Sequence, residues 1–278
     1  MKFDIHVHIT PPDICANPEK YSEKEPYFSM LSRSKVNKFS CAQDVIAAME
    51  KNDIDRAAVF GFGFRDIGLC RYVNDYVIES VKQFPQKLSG FTVVPPAGKE
   101  ASDEIERCFN AGLKGAGELF PQGQGIDLEN KNDTAFITGV CKERGLPLML
   151  HINEPVGHSY PGKTDTTLRR METFIKNNPG LKIILAHFGG GLFFYESMNE
   201  IREMCRDVYY DTAAAPFIYD YRIYNTVKTL DLCEKILFGS DYPILPPSRY
   251  MDGIGKSILS EEEKNLILGG NAVKLLGI

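Results

Sequence analysis

Short apolar segments of strand length alternate with amphipathic helical stripes along almost the whole chain. The pattern predicts strands at about 2–9, 57–60, 88–94, 113–119, 147–152, 182–188, 208–213 and 235–240. Between these segments, apolar residues recur every three or four positions, which is typical of amphipathic helices. Eight strands alternating with helices, at roughly one pair per 30–35 residues, predict a (β/α)8 TIM barrel.

An open, doubly wound sheet is the main alternative fold. That fold normally carries a glycine-rich phosphate turn after its first strand, whereas this chain continues from His8 with Ile-Thr-Pro-Pro. The chain has 278 residues, enough for one large domain or two small ones, and its composition does not shift along its length. We therefore predict that residues 1–278 form a single α/β barrel domain.

Charge and cysteine content narrow the class of protein. The 32 basic and 37 acidic residues leave a net charge of -5, which gives no support to nucleic-acid binding. The seven cysteines are scattered and never form a Cys-x-x-Cys pair, so we expect reduced core residues, not disulfides or thiolate ligands. The first residues lack the apolar run of an export signal, and no later run has the length of a membrane span. We expect a cytoplasmic protein that acts on a small, carboxylate-bearing molecule and that has no nucleic-acid or membrane partner. A homo-oligomer is also compatible with the sequence.

A histidine pair, His6 and His8, lies near the end of the first predicted strand. Side chains two residues apart on a strand project from the same face, with Ile5 and Val7 on the other face. Two imidazoles fixed in this way by the backbone are suited to binding a metal. Paired histidines also occur on exposed strands, so the pair alone is only a weak indication of a metal site.

Other potential metal ligands occur where later strands end. They are Glu118 at the end of strand 4, His151 at the end of strand 5, His187 at the end of strand 6 and Asp241 just after strand 8. Each of them, taken singly, could be an ordinary core or capping residue. In a TIM barrel, however, the carboxyl ends of the strands meet at one mouth. Burying each polar group without a partner would cost several kcal/mol, whereas a divalent cation would satisfy them together.

The types of donor indicate which ion would bind. Nitrogen and carboxylate donors without thiolates make Zn²⁺ the default, and Mn²⁺, Fe²⁺, Co²⁺ and Ni²⁺ are also compatible. Such an ion lowers the pKa of a bound water to about 7, and the resulting hydroxide attacks an electrophilic carbon. Asp241 would accept the proton and later deliver it to the leaving group. His187 would bind a second ion or, with one ion, polarise the substrate oxygen.

With these residues assembled, and with Gly270-Asn271-Ala272 closing the chain, the sequence resembles the amidohydrolase superfamily. The most similar branch is the one that includes aminocarboxymuconate-semialdehyde decarboxylase. The resemblance implies that metal is bound by His6, His8, His151 and Asp241. It also implies that His187 is a ligand in two-metal members and a catalytic group in one-metal members. Glu118 is similar to the bridging glutamate of TatD-like relatives, which favours two ions, although the decarboxylase-like relatives use one.

Three functional hypotheses follow from these residues. The first is a metal-dependent hydrolase acting on an amide, ester or lactone of a small organic acid. The alternative is a non-hydrolytic lyase that decarboxylates or hydrates a small unsaturated carboxylic acid. An inert, metal-stabilised barrel that binds a ligand is a minor alternative. Structural zinc sites usually close with four ligands, whereas this chain offers six potential ligands. The candidates for holding a substrate carboxylate are Arg65, Asn153, Tyr160 and Arg249.

Overall fold

The computed structural model describes residues 1–34, 38–95, 98–160, 162–164 and 167–278. Eight strands form one sheet in chain order, and every neighbouring pair is parallel. The strands are β1 Phe3–His8, β2 Arg56–Phe60, β3 Leu88–Thr92, β4 Gly115–Leu119, β5 Leu148–Leu150, β6 Ile183–Leu185, β7 Val208–Asp211 and β8 Ile236–Leu237.

Backbone hydrogen bonds join the first strand to the residues that follow the last one. The N–H of Asp241 donates to the carbonyl of His6 over 3.0 Å. The N–H of His8 donates to the carbonyl of Tyr242 over 2.8 Å. These bonds bring the two edges of the sheet together, and the predicted (β/α)8 barrel is confirmed.

Helices fill the connections between the strands. They are α1 Pro12–Ala16, α2 Pro26–Ser32, α3 Ala42–Lys51, α4 Ile67–Gln83, α5 Lys99–Asn110, α6 Pro121–Gln124, α7 Lys131–Arg144, α8 Leu168–Asn177, α9 Asn199–Met204, α10 Ala215–Ile218, α11 Arg222–Thr229, α12 Ser248–Lys256, α13 Glu261–Asn265 and α14 Asn271–Leu276. Among the residues described, none of these helices is long and apolar enough to cross a membrane.

Successive strand residues pack into two different apolar clusters. Leu148 and Ile183 belong to the large cluster that includes the apolar faces of the helices. Their neighbours Met149 and Ile184 belong to a smaller cluster. Both faces of the sheet are therefore buried, as expected for parallel strands covered by helices. This double burial is why the strands form nearly continuous hydrophobic runs in the sequence.

The long segment between β1 and α3 contains short helical turns. Its length and its prolines at 11, 12, 18 and 26 predict a lid or binding loop from Thr10 to Phe39. Besides α1 and α2 it forms a 3₁₀ turn at Pro18–Tyr21. The buried side chain of Glu25 accepts hydrogen bonds from the backbone N–H groups of Arg65 at 2.9 Å and Asp66 at 2.8 Å. These bonds hold the segment against the connection that follows β2. Residues 35–37 of the predicted loop lie outside the described residues.

The chain after β6 differs most from the sequence prediction. The predicted strand extends to Phe188, followed by a helical stripe that includes Phe194 and Met198. In the structure the strand ends at Leu185, and residues 188–191 adopt left-handed φ angles between 55° and 93°. Phe194 and Met198 are exposed, and α9 begins only after them. A run of three glycines permits this backbone, because glycine has no Cβ to clash at positive φ.

Gly190→Ala is expected to lower the free energy of unfolding by more than about 2 kcal/mol. A Cβ at this position would lie 2.4 Å from the carbonyl oxygen of Asn153 and 2.8 Å from Ile152 Cγ2, and φ is +59°. The methyl group would therefore push on the backbone that follows β5 while straining the left-handed turn. Urea unfolding followed by circular dichroism measures the change.

The control for this substitution is Gly255→Ala, within α12. A Cβ at Gly255 would meet no atom within 4 Å, so the higher helix propensity of alanine should leave stability unchanged or raise it. Equal stability losses in the two variants would contradict a specific close approach at Gly190.

Candidate metal centre

The side chains predicted as metal ligands converge at the carboxyl ends of the strands, and all of them are buried. β1 carries the histidine pair, β4 carries the glutamate, and the connections after β5, β6 and β8 carry the rest. The donors form two groups of three, each with donor atoms within 4.8 Å of one another: His6, His8 and Asp241, and Glu118, His151 and His187.

The first group surrounds a space with the dimensions of a coordination shell. Asp241 Oδ1 lies 3.6 Å from Nε2 of His6 and 3.5 Å from Nε2 of His8. Glu118 Oε2 lies 3.5 Å from each of the same two nitrogens. Four tetrahedral ligands about 2.1 Å from one ion are separated from each other by roughly 3.4 Å. The observed separations therefore match ligands around a shared ion better than they match direct hydrogen bonds.

The second group uses the other oxygen of Glu118. Glu118 Oε1 lies 3.0 Å from His151 Nδ1 and 3.6 Å from His187 Nε2, and these two nitrogens are 3.1 Å apart. Burial alone would raise the pKa of Glu118, but the positive charges that His6 and His151 carry when protonated bring it well below its ordinary value. The ionised carboxylate faces both groups, with one oxygen directed to each.

The orientation of His6 leaves one ring nitrogen for a ligand. His6 Nδ1 donates to Asp211 Oδ2 over 2.8 Å, so the lone pair of the neutral ring is on Nε2. This Nε2 atom is buried and has no hydrogen-bond partner within the described part of the chain. A buried polar atom without a partner is costly unless a ligand satisfies it. The residues present therefore fit a divalent cation.

Asp211, at the end of β7, is a residue of the site that the sequence prediction missed. Its Oδ1 atom accepts hydrogen bonds from the backbone N–H groups of His187 at 2.9 Å and Ala213 at 3.0 Å. Its other oxygen accepts from His6. One carboxylate therefore positions histidines from two distant strands. The sequence contained a usable signal, since Asp211 lies in the carboxyl half of a predicted barrel strand.

The sequence matches the protein-family profile described as Amidohydrolase over residues 3–278. The chain belongs to the amidohydrolase family. The chain is 24% identical, over an alignment of 336 positions that includes gaps, to 2-amino-3-carboxymuconate-6-semialdehyde decarboxylase from Dictyostelium discoideum. The alignment covers 100% of this chain and 92% of the relative.

Solved structures share the fold of this amidohydrolase. The 5-carboxyvanillate decarboxylase from Sphingomonas paucimobilis has a TM-score of 0.79 at 17% identity, with 100% of this chain and 99% of that chain covered. A dihydroxybenzoic acid decarboxylase from a Polaromonas species has a TM-score of 0.75 at 17% identity, with 99% and 96% covered. The latter structure contains manganese and the inhibitor 2-nitroresorcinol.

The four residues predicted to hold a substrate carboxylate lie in different surroundings in this amidohydrolase. The guanidinium of Arg65 donates to the carbonyl of Gly123 at 3.0 Å and 3.2 Å. Arg249 is exposed on α12, and its side chain forms no hydrogen bond or ion pair with the described residues. Asn153 donates to the hydroxyl of Tyr160 over 2.9 Å, and this pair is linked to the metal donors through Asn153. Substrate contact by all four stays a prediction.

Tyr27, on α2, is a second residue near the donors that was not singled out from the sequence. Its ring packs against Phe120 with the centroids 4.5 Å apart, and Phe120 stacks on His151 at 4.2 Å. Burial raises the pKa of Tyr27 well above its ordinary value, and the charges of Glu118 and Asp241 add to the effect. The phenol is therefore a neutral hydroxyl donor beside an aromatic wall of the amidohydrolase site.

Proposed function

We propose that the chain is a metal-dependent decarboxylase that removes carbon dioxide, without hydrolysis, from a small unsaturated or aromatic carboxylic acid. The observation that carries this proposal is the alignment along the whole chain with a relative named as a decarboxylase. The names of the two structural neighbours also state decarboxylation of carboxylated aromatic compounds. These relatives favour the lyase alternative over the hydrolase that was placed first from the sequence.

A divalent ion is part of this proposal. The residues proposed to hold it are His6, His8, Glu118, His151, His187 and Asp241. The donor types suit Zn²⁺, and they also suit the manganese found in one neighbour's structure. The placement of Glu118 between the two groups supports two ions. When bound, the ion supplies positive charge that stabilises negative charge on substrate oxygens.

Asp241 and His187 are the proposed proton-handling residues. When the bond to the carboxylate breaks, its electron pair stays on the substrate carbon, which must then take up a proton. Burial would raise the pKa of Asp241, but the neighbouring His8 and the positive charges that His6 and His187 carry when protonated bring it to about 2. Asp241 is therefore ionised; it would take up one proton from solvent and pass it to that carbon as carbon dioxide leaves, which returns the carboxylate to its starting state. His187 donates from Nδ1 to the carbonyl of Ala213 over 2.9 Å, which directs Nε2 toward His151 and Glu118. There it would be a ligand if two ions bind and a proton-handling group if one ion binds.

A substrate screen with the full chain tests this function. Loaded with Mn²⁺ or Zn²⁺, the protein is expected to convert at least one hydroxybenzoate or unsaturated dicarboxylate into a product that has lost one carboxyl group. Carbon dioxide should be released in a one-to-one ratio with that product. Lactones and N-acyl amino acids form the second arm of the panel, and mass spectrometry distinguishes added water from lost carbon dioxide.

Two outcomes of the screen would reject the proposal. Water addition to a lactone or amide, with no carbon dioxide released from any acid, would establish the hydrolase instead. Stoichiometric metal binding without turnover of any compound would favour the inert ligand-binding barrel.

A further inference from the structure

The amide of Asn153 has a single orientation that its neighbours dictate. The backbone N–H of Thr164 can only donate, and it lies 2.8 Å from Asn153 Oδ1. The Nδ2 atom of Asn153 donates to the hydroxyl of Tyr160 over 2.9 Å. Oδ1 is therefore the oxygen of the amide, and it also lies 3.0 Å from His151 Nε2. Since an amide oxygen can only accept, the hydrogen in this contact belongs to Nε2 of His151.

The hydrogen on Nε2 determines which ring atom of His151 faces Glu118 and His187. In the neutral ring the lone pair is then on Nδ1, which lies 3.0 Å from Glu118 Oε1 and 3.1 Å from His187 Nε2. In His187 the two nitrogens have the opposite roles. Nδ1 carries the hydrogen, which it donates to the carbonyl of Ala213, so the lone pair of the neutral ring is on Nε2. In their neutral forms the two rings would therefore direct two nitrogen lone pairs toward the same point as the Glu118 oxygen, where a cation would satisfy all three.

We propose that Asn153 is a positioning residue that fixes which ring nitrogen of His151 faces the metal, an inference that rests on the proposed metal-dependent function. This role differs from the substrate contact predicted from the sequence. Asn153 Oδ1 accepts from His151 and from both the N–H and the hydroxyl of Thr164, which occupies its accepting capacity. One of its two amide hydrogens is directed to Tyr160. Asn153 is buried, and its oxygen is committed to the imidazole and to Thr164.

Asn153→Ala is expected to weaken metal binding by about 10–100-fold, because residues that orient a ligating histidine affect affinity to that extent. Without the acceptor, His151 can move its hydrogen to Nδ1 or rotate away from Glu118. Dissociation constants for Zn²⁺ and Mn²⁺, measured by chelator competition with the full chain, give the affinity. Nitrogen-15 NMR of the zinc-loaded protein, which has only five histidines, shows whether Nε2 of His151 carries a slowly exchanging hydrogen.

Two further variants distinguish positioning from a general structural effect. Asn153→Asp keeps an acceptor for His151 Nε2, so its metal affinity should stay within a few-fold of the wild type. Tyr160→Phe removes the bond to Asn153 Nδ2 but leaves the contact with His151, so affinity should again be retained. If Asn153 acted only by anchoring Tyr160 through its amide group, Tyr160→Phe would weaken binding as much as Asn153→Ala.

The outcomes for the inference and for the proposed function are separable. Wild-type affinity and an unchanged His151 spectrum in Asn153→Ala would overturn the positioning role while leaving the metal enzyme intact. A wild-type chain that binds neither Zn²⁺ nor Mn²⁺ would overturn the metal-dependent function and this inference with it. Weakened binding in Asn153→Ala together with near-normal binding in Asn153→Asp supports both.

Discussion

Asp241→Asn is expected to lower the turnover of any substrate by about 10³-fold or more while leaving the barrel folded. The carboxylate of Asp241 lies 3.5–3.6 Å from the Nε2 atoms of His6 and His8, so it is placed both to hold an ion and to accept a proton. An amide of the same size keeps one oxygen but cannot take up the proton at neutral pH. Steady-state kinetics with the substrate from the screen measure the loss, and circular dichroism checks the fold.

The matched control is Asp252→Asn on α12. Asp252 is an exposed carboxylate that pairs with Lys256 on the same helix, away from the donors. Such a surface pair contributes little to stability, so both kinetics and melting should stay close to wild type. Activity within about tenfold of wild type in Asp241→Asn would remove Asp241 from the proton transfer, since general acid–base groups contribute more than that.

Glu118→Gln is expected to remove at least one ion per chain and to lower turnover by roughly 10²–10³-fold. Each oxygen of Glu118 faces one group of donors, at 3.5 Å from His6 and His8 on one side and 3.0 Å from His151 on the other. Glutamine can place its oxygen toward only one group, and its NH₂ then faces the other. Elemental analysis of the purified chain gives the ions per protein before and after dialysis against the metal.

Glu104→Gln provides the comparison for Glu118→Gln, because Glu104 is equally buried but lies outside the site. Its carboxylate accepts hydrogen bonds from Asn74 and Arg107. We expect Glu104→Gln to melt at a lower temperature, since a buried charge-assisted bond is lost, yet to bind the full complement of metal. A full complement in Glu118→Gln as well would show that this carboxylate does not bridge the two groups.

The convergence of the metal donors could be predicted because it follows from strand direction. All strands of a parallel barrel end at the same mouth, so His151, His187 and Asp241 meet there whatever the helices between them do. The two-residue repeat of a strand places His6 beside His8 in the same way. Neither inference needs knowledge of loop conformation, which is why both could be made from sequence alone.

Features that depend on loops were predicted less well. The spacing of Phe194 and Met198 fitted a helix, but the glycines before them permit a left-handed turn that carries both side chains to the surface. Arg65 looked suitable for binding an anion, yet its guanidinium donates to the carbonyl of Gly123, 58 positions along the chain. Helix starts also depend on such contacts. Ser260 and Glu263 have the spacing of a capping box and form one at the start of α13. Ser40 and Gln43 have the same spacing, but α3 has Cys41 as its N-cap, one residue later.

The junction between β1 and β8 also decides when the proposed metal centre can form during protein synthesis. His6 and His8 are synthesised before Asp241, which follows about 235 residues later, an interval of roughly 10–50 s at ordinary elongation rates. Until then the outer edge of β1 has no partner, and the first group of donors lacks its carboxylate from the late part of the sequence. Capture of an ion by that group would therefore have to wait until β8 and Asp241 have been synthesised. A polypeptide that stalls before β8 would present His6 and His8 on an unpaired edge of β1. It would lack Asp241, the carboxylate that completes the first group of donors.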